Sequence, residues 1–281
     1  SNPTSAKMED VKINNSGVRN LLSELKTQKA TGPDGIPTML LKTCANELAP
    51  VLTLIFQTSL DQGAVPEDWK HANVVPIHKK GDKTIPENYR PISLTSICCK
   101  ILEHIICSSV MNHLEQNDLL TNAQHGFRAR RSCETQLLST SMDFIETIES
   151  RGQTDAILLD FSKAFDKVHH KSLLFKIEQL GVSNNVTAWI KEFLNNRTQK
   201  VIIEGSESNT AIVESGVPQG TVLGPLLFLM YINDMPVGLD PGSTLKLFAD
   251  DSLLYRQINN MEDAVALQKD LEKLQCWEAK W

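Results

Sequence analysis

The residues best equipped for chemistry are three aspartates in two places ninety positions apart. Asp160 closes the apolar run Ala156-Ile157-Leu158-Leu159, and Asp250-Asp251 follows Leu245-Lys246-Leu247-Phe248-Ala249 and precedes Ser252-Leu253-Leu254-Tyr255. Short runs of this kind read as strands, so a fold can bring all three carboxylates to one sheet edge. Hard divalent cations such as Mg²⁺ take oxygen ligands, usually one or two carboxylates each with water and substrate phosphates. Converging aspartates can therefore serve two Mg²⁺ ions roughly 3.5–4 Å apart, the spacing used for in-line phosphoryl transfer. Asp-Asp alone is an ordinary turn signal, because Asp bonds its own backbone there. The neighbouring motifs outweigh that plainer reading.

Past the bend in Asp160-Phe161-Ser162-Lys163-Ala164-Phe165-Asp166, a ring at Phe165 beneath a bound nucleotide would collide with a ribose 2′-hydroxyl and select deoxynucleotides. Phe161, in the same stretch, reads as a core residue. In Ser215-Gly216-Val217-Pro218-Gln219-Gly220-Thr221, glycine and proline stiffen a loop and let backbone approach a substrate just before a helix. Gln219 carries a donor and an acceptor suited to a sugar hydroxyl or a phosphate. Lys79, Lys80 and Arg90 form a basic stretch, with arginine's fork fitted to phosphate oxygens and lysine acting as a mobile point charge. In His125-Gly126-Phe127-Arg128-Ala129-Arg130-Arg131, one aromatic among arginines fits stacking and phosphate pairing along a template strand. Each signal is weak singly, since a charge run is usually a solvated face.

The rest of the chain must position these residues. Its 281 residues, 41% hydrophobic and 22% charged, suffice for a sizeable core and suggest two lobes. The net charge of −6 bears on solubility, whereas binding to nucleic acid depends on local patches. The apolar stretch Val222 to Ile232 is eleven residues, too short to span a bilayer, and no signal-peptide pattern is visible, so an intracellular setting is expected. Six cysteines show no paired spacing; Cys99, His104 and Cys107 lie in an apolar helical pattern where buried thiols are commonplace, and they lack the paired spacing of a zinc site.

Helices are expected over 18–25, from Pro37 through Cys44, over 51–60, from Pro91 to about His113, and over 135–150, 171–180, 186–194, 222–233 and 261–277. Strands are expected at 74–77 and 155–161, with hairpins at 199–204 to 210–215 and around Asp250-Asp251. Residues 1–16 read as polar and loosely ordered. The mixture is α+β, without regular βαβ alternation.

In this order the motifs, with Ala30-Thr31-Gly32-Pro33-Asp34-Gly35-Ile36-Pro37 ahead of them and Phe248-Ala249-Asp250-Asp251 as a Tyr/Phe-x-Asp-Asp hairpin, resemble the reverse transcriptase of non-LTR (LINE-like) retrotransposons, most closely the Jockey-like group. The resemblance runs from about residue 18 to the end. It implies a right-hand polymerase: a polar N-terminal segment at 1–17, a fingers-like lobe at 18–150, and a palm at 151–281 built on an antiparallel sheet packed by helices. Residues 171–215 would pack partly with the fingers, and thumb and endonuclease would lie outside the chain. Asp160, Asp250 and Asp251 would be the metal carboxylates for two Mg²⁺ ions, with Mn²⁺ as a substitute. Phe165 would be the sugar gate, Gln219 and Gly220 would meet the incoming nucleotide, and Lys79 or Lys80 with Arg90 would grip its triphosphate. Arg128 would face the template, beside Phe127, Arg130 and Arg131. An RNA template, a DNA primer and dNTPs would be the partners, in nucleus or cytoplasm. Two other readings stay open: an RNA-directed RNA polymerase, and a truncated, inactive remnant that only binds nucleic acid.

Overall fold

The computed structural model describes residues 4–281. In chain order the elements are α1 (Asn15–Ser23), α2 (Thr38–Thr43), α3 (Ala45–Gln62), β1 (His71–His78), β2 (Tyr89–Leu94), α4 (Ile97–Gln116), α5 (Cys133–Glu149) and β3 (Gln153–Asp160). They continue with α6 (His170–Gln179), α7 (Asn184–Leu194), β4 (Arg197–Ile203), β5 (Ser206–Glu207), β6 (Ala211–Val213), α8 (Leu223–Ile232), β7 (Ser243–Phe248), β8 (Asp251–Ile258) and α9 (Met261–Lys280). This is the expected α+β mixture, with two sheets that are antiparallel except where β1 runs parallel to β4. One sheet has the order β2-β1-β4-β5 with β6 also on β4, and the other has the order β3-β8-β7.

Helix starts follow the local chemistry. Ser96 caps α4 by accepting from Cys99 N, and Ser132 with Thr135 forms a reciprocal capping box on α5. All of α8 except Pro225 is buried, as its unbroken apolar run demands. One continuous core joins α1, α3, α4, α6, α7, α8 and α9 to the inner face of the β3-β8-β7 sheet.

Three expectations need correction. The helix expected from Pro91 begins only at Ile97, because 89–94 form β2. Pro91 stands opposite Pro76, and two prolines can face each other only where a ladder needs no donor. Pairing of β1 with β4 ends at Val74, so Pro76 loses no bond on that side either. The helix expected at 51–60 starts earlier, at Ala45, and absorbs Pro50. Residues 4–13 are tied down rather than loose: Thr4 N donates to Gln179 O (3.2 Å), Met8 N to Gly181 O (2.8 Å), and Ile13 N to Gln57 Oε1 (2.8 Å). Val11 is buried among the helices, and this apolar spacing, Met8, Val11 and Ile13, is what the polar composition concealed. Residues 1–3 of that segment lie outside the described residues.

Candidate active site

The last rung between β3 and β8 pairs Asp160 with Asp251. Residues directly opposite in antiparallel strands lie about 4.5–5.5 Å apart at Cα and point to the same face. The β7–β8 hairpin closes on the pair Phe248–Asp251, leaving Ala249 and Asp250 as its two-residue turn. Asp250 therefore sits one Cα step, about 3.8 Å, from Asp251. Its pKa is pushed upward, chiefly by burial and then by the neighbouring carboxylates of Asp251 and Asp160; its own backbone N–H and the Lys79 ammonium pull the other way.

A group of like charges so placed is destabilised unless a cation joins it. Among the described residues no three His, Cys, Asp or Glu side chains form a ready ion cage. A divalent ion that takes one or two carboxylates, and fills its shell with water and phosphate, needs none. The donor set, all hard oxygen, fits such an ion.

A second segment locks the hairpin. Leu247 N donates to Ala123 O (2.9 Å) and His125 N to Leu247 O (2.8 Å), so 123–125 run beside the end of β7. The buried Gln124 Oε1 accepts from Gly126 N (2.7 Å) and from Ala249 N (2.9 Å). Gly126 is pressed so closely on the turn that a Cβ there would come within 2.5 Å of Ala249 N.

The next residue connects the hairpin to Phe165. Phe127, 54% exposed, meets Phe165 edge-on at 6.5 Å, and Phe165 stacks on Phe228 of α8 at 4.4 Å. Phe161 instead packs on the core, its ring edge-on to Trp277.

The 215–221 loop runs beside the short 3-10 turn Ala164–Lys167 that carries Phe165: Val217 N donates to Phe165 O (2.8 Å) and Gly216 N to Val168 O (2.9 Å). Gln219 Nε2 donates to Asp166 Oδ1 (3.2 Å), and Gln219 O accepts from Ser93 N (2.8 Å). Gly220 takes φ +95°, and a Cβ there would meet Ser93 O at 2.9 Å, so glycine is required twice over. Just beyond, Glu103 of α4 reaches into the start of α8, where its Oε2 accepts from Val222 N (2.7 Å) and Leu223 N (3.1 Å). Its pKa is raised by complete burial, against the pull of Leu223 N, the Arg197 guanidinium and Val222 N.

The basic residues divide. Lys79, at the end of β1, lies within electrostatic reach of Asp250. Lys80 and Arg90 are exposed on the same hairpin. Arg128 does not face outward: its guanidinium pairs with Glu115 (2.7 Å), and Nη1 donates to Thr121 O (2.8 Å), leaving its side chain 7% exposed. Arg131 is turned inward onto Asn122 and Gln124 O. Arg130 is exposed. Cys99 is buried in α4 and its thiol is pushed well up by burial, while burial raises Cys107 to about 11; these are core thiols.

Gln124 and Glu103 escaped the sequence reading. A lone Glu inside the apolar pattern Ile101-Leu102-Glu103-His104-Ile105-Ile106 was the available signal for one, and nothing marked the other.

Residues 77–281 match the family described as reverse transcriptase (RNA-dependent DNA polymerase). The chain belongs to that family. Two relatives, each described as an RNA-directed DNA polymerase from mobile element jockey, come from Drosophila melanogaster (30% identical) and Drosophila funebris (32% identical). Each match covers 94% of this chain but only 30% of the relative, so the chain spans under a third of their length. Reverse transcriptases work with divalent metal ions, in keeping with the carboxylate oxygens at the β3–β8 edge. No described helix is long and apolar enough to cross a membrane.

Proposed function

We propose that this chain is the fingers and palm of an RNA-directed DNA polymerase that adds dNTPs to a primer 3′-hydroxyl on an RNA template. The observation that carries this reading is the opposition of Asp160 and Asp251 across the last rung of a sheet, with Asp250 at the adjoining turn. The palm would be the β3-β8-β7 sheet with α5, α8 and α9 against it. The fingers would be residues 18–150 without α5, joined by β4, which returns to pair with β1, and by β5 and β6, which pair with β4.

Asp160 and Asp250 would hold two Mg²⁺ ions, or Mn²⁺ in their place, with Asp251 alongside. Such ions would supply a lowered pKa at the primer hydroxyl and charge neutralisation at the departing pyrophosphate. Lys79, Lys80 and Arg90 gather the triphosphate at the loop end of the β1–β2 hairpin. Phe165, backed by Phe228, presents a fixed ring that refuses a 2′-hydroxyl. The Gln219 amide gives its N–H to Asp166, which leaves Oε1 to accept from a sugar hydroxyl. Phe127, with Arg130 beside it, offers the template a stacking surface and a positive charge; Arg128 shapes that loop from within.

Primer extension on an RNA template with dNTPs tests the activity, and Phe165→Ala tests the gate. The variant should accept rNTPs about 10–200-fold better relative to dNTPs, the worth of one steric contact. Absence of extension would end the polymerase reading; unchanged selectivity would end the gate.

A further inference from the structure

Ala249 is one of the non-glycine residues in the left-handed region, at φ +53°, and it occupies the turn that carries Asp250. That conformation disfavours an L-residue by about a fivefold to thirtyfold factor in population. Closure by the Phe248–Asp251 pair favours a positive φ at the first loop residue, yet Ala249 lacks glycine's freedom there and gains from a hold outside the hairpin. Gln124 does reach it. The backbone of 123–125 pairs with β7 up to Leu247, and from there the Gln124 side chain continues the ladder in place of a strand. Its Oε1 binds Ala249 N at 2.9 Å and is itself fixed by Gly126 N at 2.7 Å, with the whole side chain 2% exposed. The chemistry also selects a neutral amide. A Glu here would accept the same two N–H groups, but would add a fourth negative charge beside Asp160, Asp250 and Asp251.

We infer that Gln124 is the positioning residue of the carboxylate hairpin, its amide holding Ala249 left-handed and so setting where Asp250 and Asp251 present their oxygens. The kinetic part of this inference rests on the polymerase reading; the metal-binding part does not.

The test compares Gln124→Ala, Ala249→Gly and the double variant with the parent protein, reading Mn²⁺ affinity from the free-Mn²⁺ EPR signal and hairpin protection from hydrogen-exchange mass spectrometry. Gln124→Ala should lose protection over 246–252 and bind Mn²⁺ about fivefold to thirtyfold more weakly. Glycine adopts positive φ freely, so adding Ala249→Gly should bring Mn²⁺ affinity back to that of Ala249→Gly alone. In primer extension the loss should fall on kcat, with KM for dNTP held. Unchanged Mn²⁺ affinity in Gln124→Ala, or no recovery in the double variant, overturns the inference. Should Gln124→Ala fail to fold, Gln124→Met keeps the bulk without the acceptor and must show the same loss and rescue. If the parent extends no primer while the Mn²⁺ pattern holds, the polymerase reading fails and the clamp stands.

Discussion

Two acidic places in this molecule solve opposite problems. At the start of α8, the single carboxylate of Glu103 is fully buried and is given two backbone N–H groups and a nearby guanidinium. At the β7–β8 turn, three carboxylates are set against one another with one lysine in reach. The first arrangement ties one oxygen, Oε2, to the helix start and leaves Oε1 buried without a partner, sealed away from any ligand. The second keeps its charge in excess, which costs stability and reserves oxygen ligands for a cation. A perturbed acid is thus evidence of function only when a ligand can reach it, as at the turn and not at Glu103.

Substitutions can break or sharpen that contrast. Asp250→Ala should lower primer extension at least about a thousandfold, comparable to removing a principal electrostatic group from an active site, with no loss of thermal stability. Retained extension would place the chemistry elsewhere. Glu103→Ala should do the reverse, destabilising the fold by about 2–4 kcal/mol because two helix N–H groups lose their acceptor in a dry interior. Urea unfolding measures it, and a change under about 0.5 kcal/mol, the range of an ordinary surface substitution, would mean that the cap is dispensable.

Glu103→Gln keeps an acceptor and isolates the charge. Because the folded-state pKa of Glu103 is raised, the folded chain holds its proton more tightly than the unfolded chain. Stability from this group is complete below the unfolded value and is lost as pH rises through the folded one. The deficit of Glu103→Gln relative to the parent should therefore shrink between pH 4 and pH 7; a deficit that grows would reverse the assignment. The smallest effect is expected for Asp250→Asn. In EDTA at pH 7 it should raise Tm slightly by relieving repulsion, and scanning calorimetry would expose a contrary fall.

Much of this was legible in the chain. The strands at Asp160 and around Asp250-Asp251 are short β-rich runs with turn residues between them, and α8 follows a Gly-Pro start with an unbroken apolar run. The misreadings share a cause. Pro91 looks like a strand breaker until Pro76 is seen opposite it. Arg128 belongs to a run of arginines, yet its partner Glu115 is thirteen positions upstream on another element. Gln124 and Glu103 act on residues about 120 positions away, a distance over which sequence pattern carries no information. Local periodicity announces elements; pairing between distant polar groups is announced by nothing until the backbone closes.

The parallel alliance of β1 with β4 has a consequence for how the protein is made. His71 must wait for Thr198, 127 positions later, before that side of its strand is covered. At about 5–20 residues per second, a ribosome leaves that edge bare for roughly 6–25 s. During this interval the emerging hairpin is open to pairing with foreign strands, which makes the middle of translation, rather than the finished protein, its most vulnerable stage.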